Sequence, residues 1–335
     1  MPKRPVAMFA MTAENVPRVF PPDLLVRLRE LVEIDPALVA GDFTDPRVRE
    51  RLATTEILIT GWGAPVLDAG ALEAAPRLRA VLHAAGSVKG FTTQAVWDRG
   101  IAVSSAAAAN ALPVAEYTLA MILLAGKNVF AYRDRLRDER AFPYGEILPG
   151  VGNFGRRVGV VGASRIGRRL IELLRPFDLE VSLADPYVTE AGAAALGVPL
   201  LPLEALLAGS DVVTVHAPQT PETRHLVGRR ELALMPDGSV LVNTARGSLV
   251  DHDALVGELR SGRISAVLDV TDPEPLPVDS PLLGLPNAFV TPHLAGSQGN
   301  EVARLGATVL GELERLLAGR ELEFRVDETE LERTA

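Results

Sequence analysis

The 335-residue chain contains no cysteine. That single absence removes disulfide staples, thiolate zinc sites and cysteine nucleophiles together, and it fits a reducing cytoplasm. Long hydrophobic runs are missing too. Val6 to Met11 is too short for a secretory signal core, and the longest apolar helix candidate, about Tyr117 to Ala125, is too short to cross a bilayer. A cytoplasmic chain with no membrane partner is the expectation. Excess positive charge is also absent. The formal net charge of −9 sets up a field that repels phosphate, so nucleic acid is not an expected partner. The chain shows no internal repeat and no low-complexity tract; the Ala106–Ala109 run reads as a helix entry or hinge. No metal site is expected.

What is present is ample apolar material. Hydrophobic residues make up 47% of the chain and charged residues 23%, enough for two cores in a chain of two-domain length. Short apolar runs at 6–11, 56–61, 78–84 and 101–105 alternate with helix-like stretches such as Pro22 to Val32 and Pro65 to Ala75. Such alternation predicts an α/β fold, a parallel sheet covered on both faces. A long helix is expected over 106–140, with Pro113 near its first turn, then a loop rich in Pro and Gly over 142–155. A second α/β series carries strands at 157–162, 180–185, 211–217, 239–245, 266–270 and 288–293, and a last helix runs from about Gln298 to Leu317. The near-continuous Val and Leu runs suit central parallel strands buried on both faces.

The first chemical signal is Gly162-Ala163-Ser164-Arg165-Ile166-Gly167, between a strand and a helix, with Asp185 ending the next strand. This is the layout of a dinucleotide-binding βαβ unit. A pyrophosphate would sit over the helix N-terminus, where free N–H groups and the dipole favour anions. Asp185 would accept from the ribose hydroxyls and repel a 2′-phosphate, which favours NAD over NADP. Ser164 stands where the fingerprint has its middle glycine. Its hydroxyl can bond a phosphate, or its side chain can weaken cofactor binding.

Three later stretches are NTARGSLVD (243–251), LDVTDPEPLP (268–277) and NAFVTPHLAGS (287–297). With VGASRIG (161–167) and VTVHAPQTPETRHLV (213–227), they resemble the NAD-dependent D-isomer-specific 2-hydroxyacid dehydrogenase family. The resemblance covers about residues 55 to 305 and is strongest from 155 to 297. It implies a catalytic trio of Arg246, Glu274 and His293. A histidine suits proton exchange with the substrate hydroxyl near neutral pH. Glu274 would orient the ring and stabilise its charged form. Arg246 would hold the substrate carboxylate and polarise its carbonyl through a planar fork of donors. Asp269 and the backbone at Thr244 and Ala245 would meet the nicotinamide carboxamide, and His216, Ala217 and Pro218 would lie along the cofactor. The His216 side chain reads equally well as packed at a strand end.

On the substrate side, the resemblance points to backbone N–H groups of a loop reading Ala85-Gly86-Ser87-Val88-Lys89-Gly90, with Gly86, Ser87 and Val88 as the carboxylate site. Val88 replaces a glycine common in the family, and loss of flexibility and pocket space is expected there. Lys89 reads as a surface lysine, and Trp62 equally as a pocket or a core residue. His83, His225 and His252 read as structural or solvent-facing. The family architecture is two doubly wound parallel-sheet domains. A flavodoxin-like substrate domain would take 1–107 and 297–335, and an inserted Rossmann NAD domain 108–296, with a cleft between them and hinges near Ala107 and Leu294. The helix from Pro113 to Phe130 resembles the family's dimer helix, so a homodimer is expected. The implied activity is hydride transfer between NAD(H) and a small D-2-hydroxy or 2-keto acid. Alternatives are a relative acting on another small anion such as phosphite, a chain disabled by Ser164, or a non-catalytic NADH-sensing protein like the family's corepressors. Glu274 speaks against formate, because formate dehydrogenases of this fold usually place Gln there.

Overall fold

A computed structural model describes residues 4–140, 142 and 150–331; positions 143–149 of the expected 142–155 loop lie outside the described residues. The chain divides into two units, one from Met1–Asn110 with Ser297–Ala335 and one from Ala111–Gly296.

In the first unit, β1 (Ala7–Ala10), β2 (Ile57–Thr60), β3 (Ala80–His83) and β4 (Ala102–Ser105) form a parallel sheet in that order. Every residue of β1, β2 and β3 is buried, so these strands read as unbroken apolar runs rather than alternating ones. Segments without strand patterning cover both edges. Parallel bridges Val6–Glu33 and Phe9–Val39 place one beside β1, and an antiparallel bridge Ser104–Arg325 places the other beside β4. With the 33–39 segment counted second, the order is the 2-1-3-4-5 of flavodoxin-like sheets. One core joins Phe9, Phe20, Ile57 and Leu82 to Val309 and Leu313 of the Val302–Leu317 helix. The other joins Leu58, Val81, Val88 and Val96. Glu312 on that last helix is buried, and its carboxylate accepts from the N–H groups of Glu323 and Phe324 at 3.0 and 3.1 Å.

In the second unit, β5 (Arg156–Val161), β6 (Leu179–Ala184), β7 (Val212–Val215), β8 (Val240–Asn243), β9 (Ser265–Leu268) and β10 (Ala288–Val290) are all parallel, in the order β10-β9-β8-β7-β5-β6. A bridge Leu183–Leu200 extends the sheet beyond β6. The chain leaves β5 toward β6 and later returns to β7 on β5's other side. The carboxyl ends of β5 and β7 therefore flank the switch point where open α/β sheets bind ligands.

The expected 106–140 helix is not continuous. A helix spans Ala107–Gly126, Asn128 adopts a left-handed φ of 53°, and Val129–Asp134 forms a separate short helix. Asparagine tolerates that conformation, and the freed carbonyls are taken up, since Gly152 N–H donates to Gly126 and Asn153 Nδ2 to Leu123. Pro113 sits inside the helix rather than in its first turn, because the alanines at 107–109 are strong helix formers and begin it earlier. At 20 residues the helix is also longer than the apolar stretch read from sequence, and it is long and apolar enough by length and composition to span a bilayer. Ala115, Ile122 and Ala125 are instead buried against Val158, Leu170 and Val212 of the second unit, so this apolar stripe has a protein partner.

Candidate active site

Gly162 turns the chain out of β5 with φ of 98°. A Cβ there would lie 2.6 Å from the backbone nitrogen of Ala217, so only glycine allows the turn to pack on the His216–Pro218 segment that follows β7. Ser164 is the N-cap of the Arg165–Leu174 helix, and its Oγ accepts from the Gly167 N–H at 3.3 Å. Arg165 is exposed, while Ile166 packs against the core that contains Val158 and Leu170. Asp185 lies against the same turn. Its carboxylate accepts from the N–H groups of Ala163 at 2.7 Å and Tyr187 at 2.8 Å, and each oxygen keeps a second lone pair. The His216 ring is buried, with Nε2 2.8 Å from Thr214 Oγ1 and no partner for Nδ1 among the described residues. Burial pushes its pKa down to about 3, so the ring is neutral. Its side chain is the packed one of the two alternatives.

The trio is brought together within the second unit. Arg246 follows β8 in a turn closed by Asn243, whose Oδ1 accepts from Ala245 N–H and whose Nδ2 donates to the Arg246 carbonyl, at 3.1 and 2.9 Å. The next residue, Gly247, has no room for a side chain, because a Cβ would come within 2.0 Å of the Thr271 carbonyl group. The Arg246 turn therefore lies directly on the segment leading to Glu274. Burial lowers the Arg246 pKa, and the nearby Glu274 charge opposes that shift. Glu274 Oε1 forms a short hydrogen bond with His293 Nδ1. Both side chains are partly exposed, His293 at 49% and Glu274 at 39%, so they stay open to a ligand while bonded to each other.

His293 sits in a left-handed bend with φ of 53°, a conformation that disfavours a side chain and must be held by its surroundings. Asp269 holds it. The Asp269 backbone carbonyl accepts from His293 N–H at 2.8 Å. Its carboxylate, with the residue 1% exposed, accepts from Leu294 N–H and Ala295 N–H, both at 2.9 Å, and from Thr291 Oγ1 at 2.6 Å. Because the Thr291 hydroxyl donates to Asp269, it accepts from Tyr117, whose OH lies 2.7 Å away. Burial raises the Tyr117 pKa, so the phenol keeps the proton it donates. The Thr118 hydroxyl donates to Val114 and therefore accepts from Thr244 Oγ1 at 2.8 Å.

In the first unit the 85–90 loop leaves β3. The Val88 side chain is buried in the core and takes no space on the open side of the loop, contrary to the expectation from sequence. Its carbonyl accepts from Phe91 and Thr92 N–H and from the Thr92 hydroxyl. The N–H groups of Gly86, Ser87 and Val88 find no acceptor among the described residues. Trp62 is 40% exposed and lies outside the core. His225 is exposed and His252 half-buried. No group of three or more His, Asp or Glu residues suited to a metal occurs among the described residues.

Residues 119–295 match the model of the D-isomer specific 2-hydroxyacid dehydrogenase, NAD binding domain. The chain belongs to the D-isomer specific 2-hydroxyacid dehydrogenase family. It is 32% identical over 303 residues to the D-3-phosphoglycerate dehydrogenase of Methanocaldococcus jannaschii, covering 89% of this chain and 56% of that one. It is 32% identical to the glyoxylate reductase of Korarchaeum cryptofilum, covering 88% of this chain and 90% of the relative. A solved structure of a Thermus thermophilus protein superposes with a TM-score of 0.77 at 33% identity, covering 96% and 99% of the two chains. The chain spans about half the length of the phosphoglycerate dehydrogenases it matches.

The second unit of this family member fits its NAD. The Gly162 turn packs on the Ala217 backbone with no room for a Cβ, the helix capped by Ser164 starts directly after it, and the Asp185 carboxylate bonds to the same turn, as a dinucleotide-binding βαβ unit requires. Sequence reading missed Tyr117, Thr118 and Thr291, whose hydroxyls bond toward Asp269 and Thr244. Thr291 lies inside the 287–297 stretch, but Tyr117 is 174 residues away from it, and no local pattern links the two.

Proposed function

We propose that this protein is an NAD-dependent oxidoreductase that interconverts a small D-2-hydroxy acid and its 2-keto acid. The observation that carries this reading is the Glu274–His293 hydrogen bond in a bend anchored by buried Asp269, with Arg246 on the adjoining turn. NAD supplies the hydride acceptor, and NADH the donor, when bound. His293 takes the substrate hydroxyl proton in oxidation and returns it to the carbonyl oxygen in reduction, through the ring nitrogen that Glu274 leaves free. Glu274 fixes the tautomer and ring direction and stabilises the imidazolium formed when the proton arrives. Arg246, half-buried and permanently charged, binds the carboxylate and the carbonyl oxygen, and its charge counts for more away from bulk water. In the first unit, the N–H groups of Gly86, Ser87 and Val88 find no acceptor among the described residues and suit a carboxylate. Asp185 favours NAD, since it would repel a 2′-phosphate.

The names of relatives support small 2-keto acids and phosphoglycerate as candidates. The test is loss of NADH absorbance with glyoxylate, hydroxypyruvate, pyruvate and longer 2-keto acids and, in the oxidative direction starting from NAD, gain of NADH absorbance with 3-phosphoglycerate and phosphite, with His293→Ala as control. Turnover that vanishes in the variant supports the assignment and ranks the acids. Measurable NADH binding without turnover on any of them refutes it.

A further inference from the structure

Thr244, Asp269 and Thr291 form a row across three adjoining strand ends. Register pairs Asn243 of β8 with Leu268 of β9, and Leu268 with Val290 of β10. The pairing runs one residue further, since Asp269 N–H donates to the Asn243 carbonyl and Thr291 N–H to the Leu268 carbonyl, both at 2.9 Å. The three residues therefore stand side by side, about 5 Å from strand to strand, and register partners in parallel strands share a face. Two consecutive residues of the Ala107–Gly126 helix meet that row. Tyr117 bonds to Thr291, and buried Thr118 bonds to Thr244.

The direction of each proton follows from what a hydroxyl can do. A threonine has one proton to donate and two lone pairs. The Thr118 proton goes to the Val114 carbonyl at 2.7 Å, so the Thr244 hydroxyl must donate to Thr118. Thr244 Oγ1 is left with lone pairs alone, and it accepts no bond among the described residues. Thr291 spends its proton on Asp269 Oδ1, which Leu294 N–H also occupies. Asp269 Oδ2 takes only Ala295 N–H and keeps one lone pair. Neighbouring strand ends thus offer two acceptors and no spare hydroxyl proton. Along the chain, Thr244 lies two residues before Arg246, and Thr291 two before His293. Nicotinamide bears its carboxamide on the ring carbon next to the one that exchanges the hydride, so the amide belongs beside the residues that hold the substrate carbonyl. Its NH2 has two protons to give.

We propose that Thr118 is a positioning residue: by taking the Thr244 proton it makes Thr244 Oγ1 an acceptor that, beside Asp269 Oδ2, receives the carboxamide NH2 of NAD. This rests on the reading of the NAD site and the trio given above. In Thr118→Val the Thr244 proton is released and turns to the Asp269 carboxylate, the charged acceptor at the next strand end, where it competes with the amide. The test is calorimetric titration of wild type, Thr118→Val, Thr118→Ser and Thr244→Val with NADH and with its 3-acetylpyridine analogue, which carries a methyl ketone in place of the amide. Thermal melting of each variant shows that it is folded. Wild type should bind NADH more tightly than the analogue. Thr118→Val should lower that preference about three- to tenfold, as loss of one neutral hydrogen bond does, by weakening NADH and not the analogue. Thr118→Ser keeps the hydroxyl and should keep the preference. Thr244→Val should lower it as much as Thr118→Val, and the double variant no further. A folded Thr118→Val that weakens both ligands equally, or neither, would overturn the proposal, because packing does not tell an amide from a ketone. An equal loss of preference in Thr118→Ser would also overturn it. Wild type that binds NADH without preferring it to the analogue would overturn it and leave the NAD site standing. Wild type that binds neither ligand would overturn both.

Discussion

Replacing Asp269 by Asn changes almost no volume but breaks the anchor of the bend that carries His293. The carboxylate accepts three hydrogen bonds, from Thr291 Oγ1, Leu294 N–H and Ala295 N–H. An amide keeps one acceptor oxygen and presents an NH2 in place of the other. With the oxygen kept toward Thr291 and Leu294, the new N–H2 faces the Ala295 N–H, donor against donor. One charge-assisted bond is lost and a buried N–H is left unpaired, which costs about 3 kcal/mol. At roughly 2–4 °C per kcal/mol for a unit of this size, the second unit should melt about 6–12 °C lower. The functional loss should be larger than the stability loss suggests. His293 holds its left-handed φ because its own N–H and the two that follow are all bonded to Asp269. A shift of about 1 Å in the ring should lower kcat on the order of a hundredfold. The assay pairs steady-state reduction of the best keto acid with calorimetric melting and NADH titration. A variant that keeps kcat within about threefold of wild type while melting several degrees lower would refute the anchoring argument, since the bonds would then support the fold without placing His293.

Glu274→Gln should keep the hydrogen bond to His293 without its charge, lowering kcat roughly 10- to 100-fold with little change in KM; unchanged kcat would remove Glu274 from the mechanism. Ser164→Ala should destabilise the second unit by about 1 kcal/mol through loss of the cap, whereas Ser164→Gly should lose only a few tenths and, by freeing the Gly167 N–H, bind NAD modestly more tightly. Weaker binding by the glycine variant in calorimetric titration would show that the serine hydroxyl itself contacts a phosphate. Acid should destabilise both units. His83 and His216 stay neutral when folded, with pKa values near 4 and 3, whereas the unfolded chain takes up their protons near pH 6.5. Their stabilising contribution is complete above that pH and is lost as pH falls toward 4 and 3 respectively. At pH 5 this removes about 2 kcal/mol per histidine relative to pH 7. Urea midpoints that do not move between pH 7 and 5 would contradict it, and His83→Leu should flatten the slope for the first unit.

The strands and their class were legible because parallel, doubly covered strands require runs of Val, Ile and Leu, and those runs mark burial without reference to any partner. The nucleotide turn was legible for a similar reason, since Gly162 answers to its own φ and to the backbone it packs on. Arg246, Glu274 and His293 were named through the family resemblance, and the structure brings them to adjoining loops of one sheet. Tertiary structure alone decided what pairs with what. Ser164 turned out to cap its own helix, Val88 pointed into the core, and the His216 ring was shut away. The edge segments at 33–39 and 324–326 joined the first sheet without any strand pattern, because a few backbone bonds along an existing edge need no periodic side chains. The bond from His83 to Thr60 and the bonds that join Tyr117 and Thr291 to Asp269 left no signal in the sequence. A side chain's role there depends on the donor or acceptor it meets across the fold, and periodicity along the chain records only whether a residue is buried, not what it is buried against.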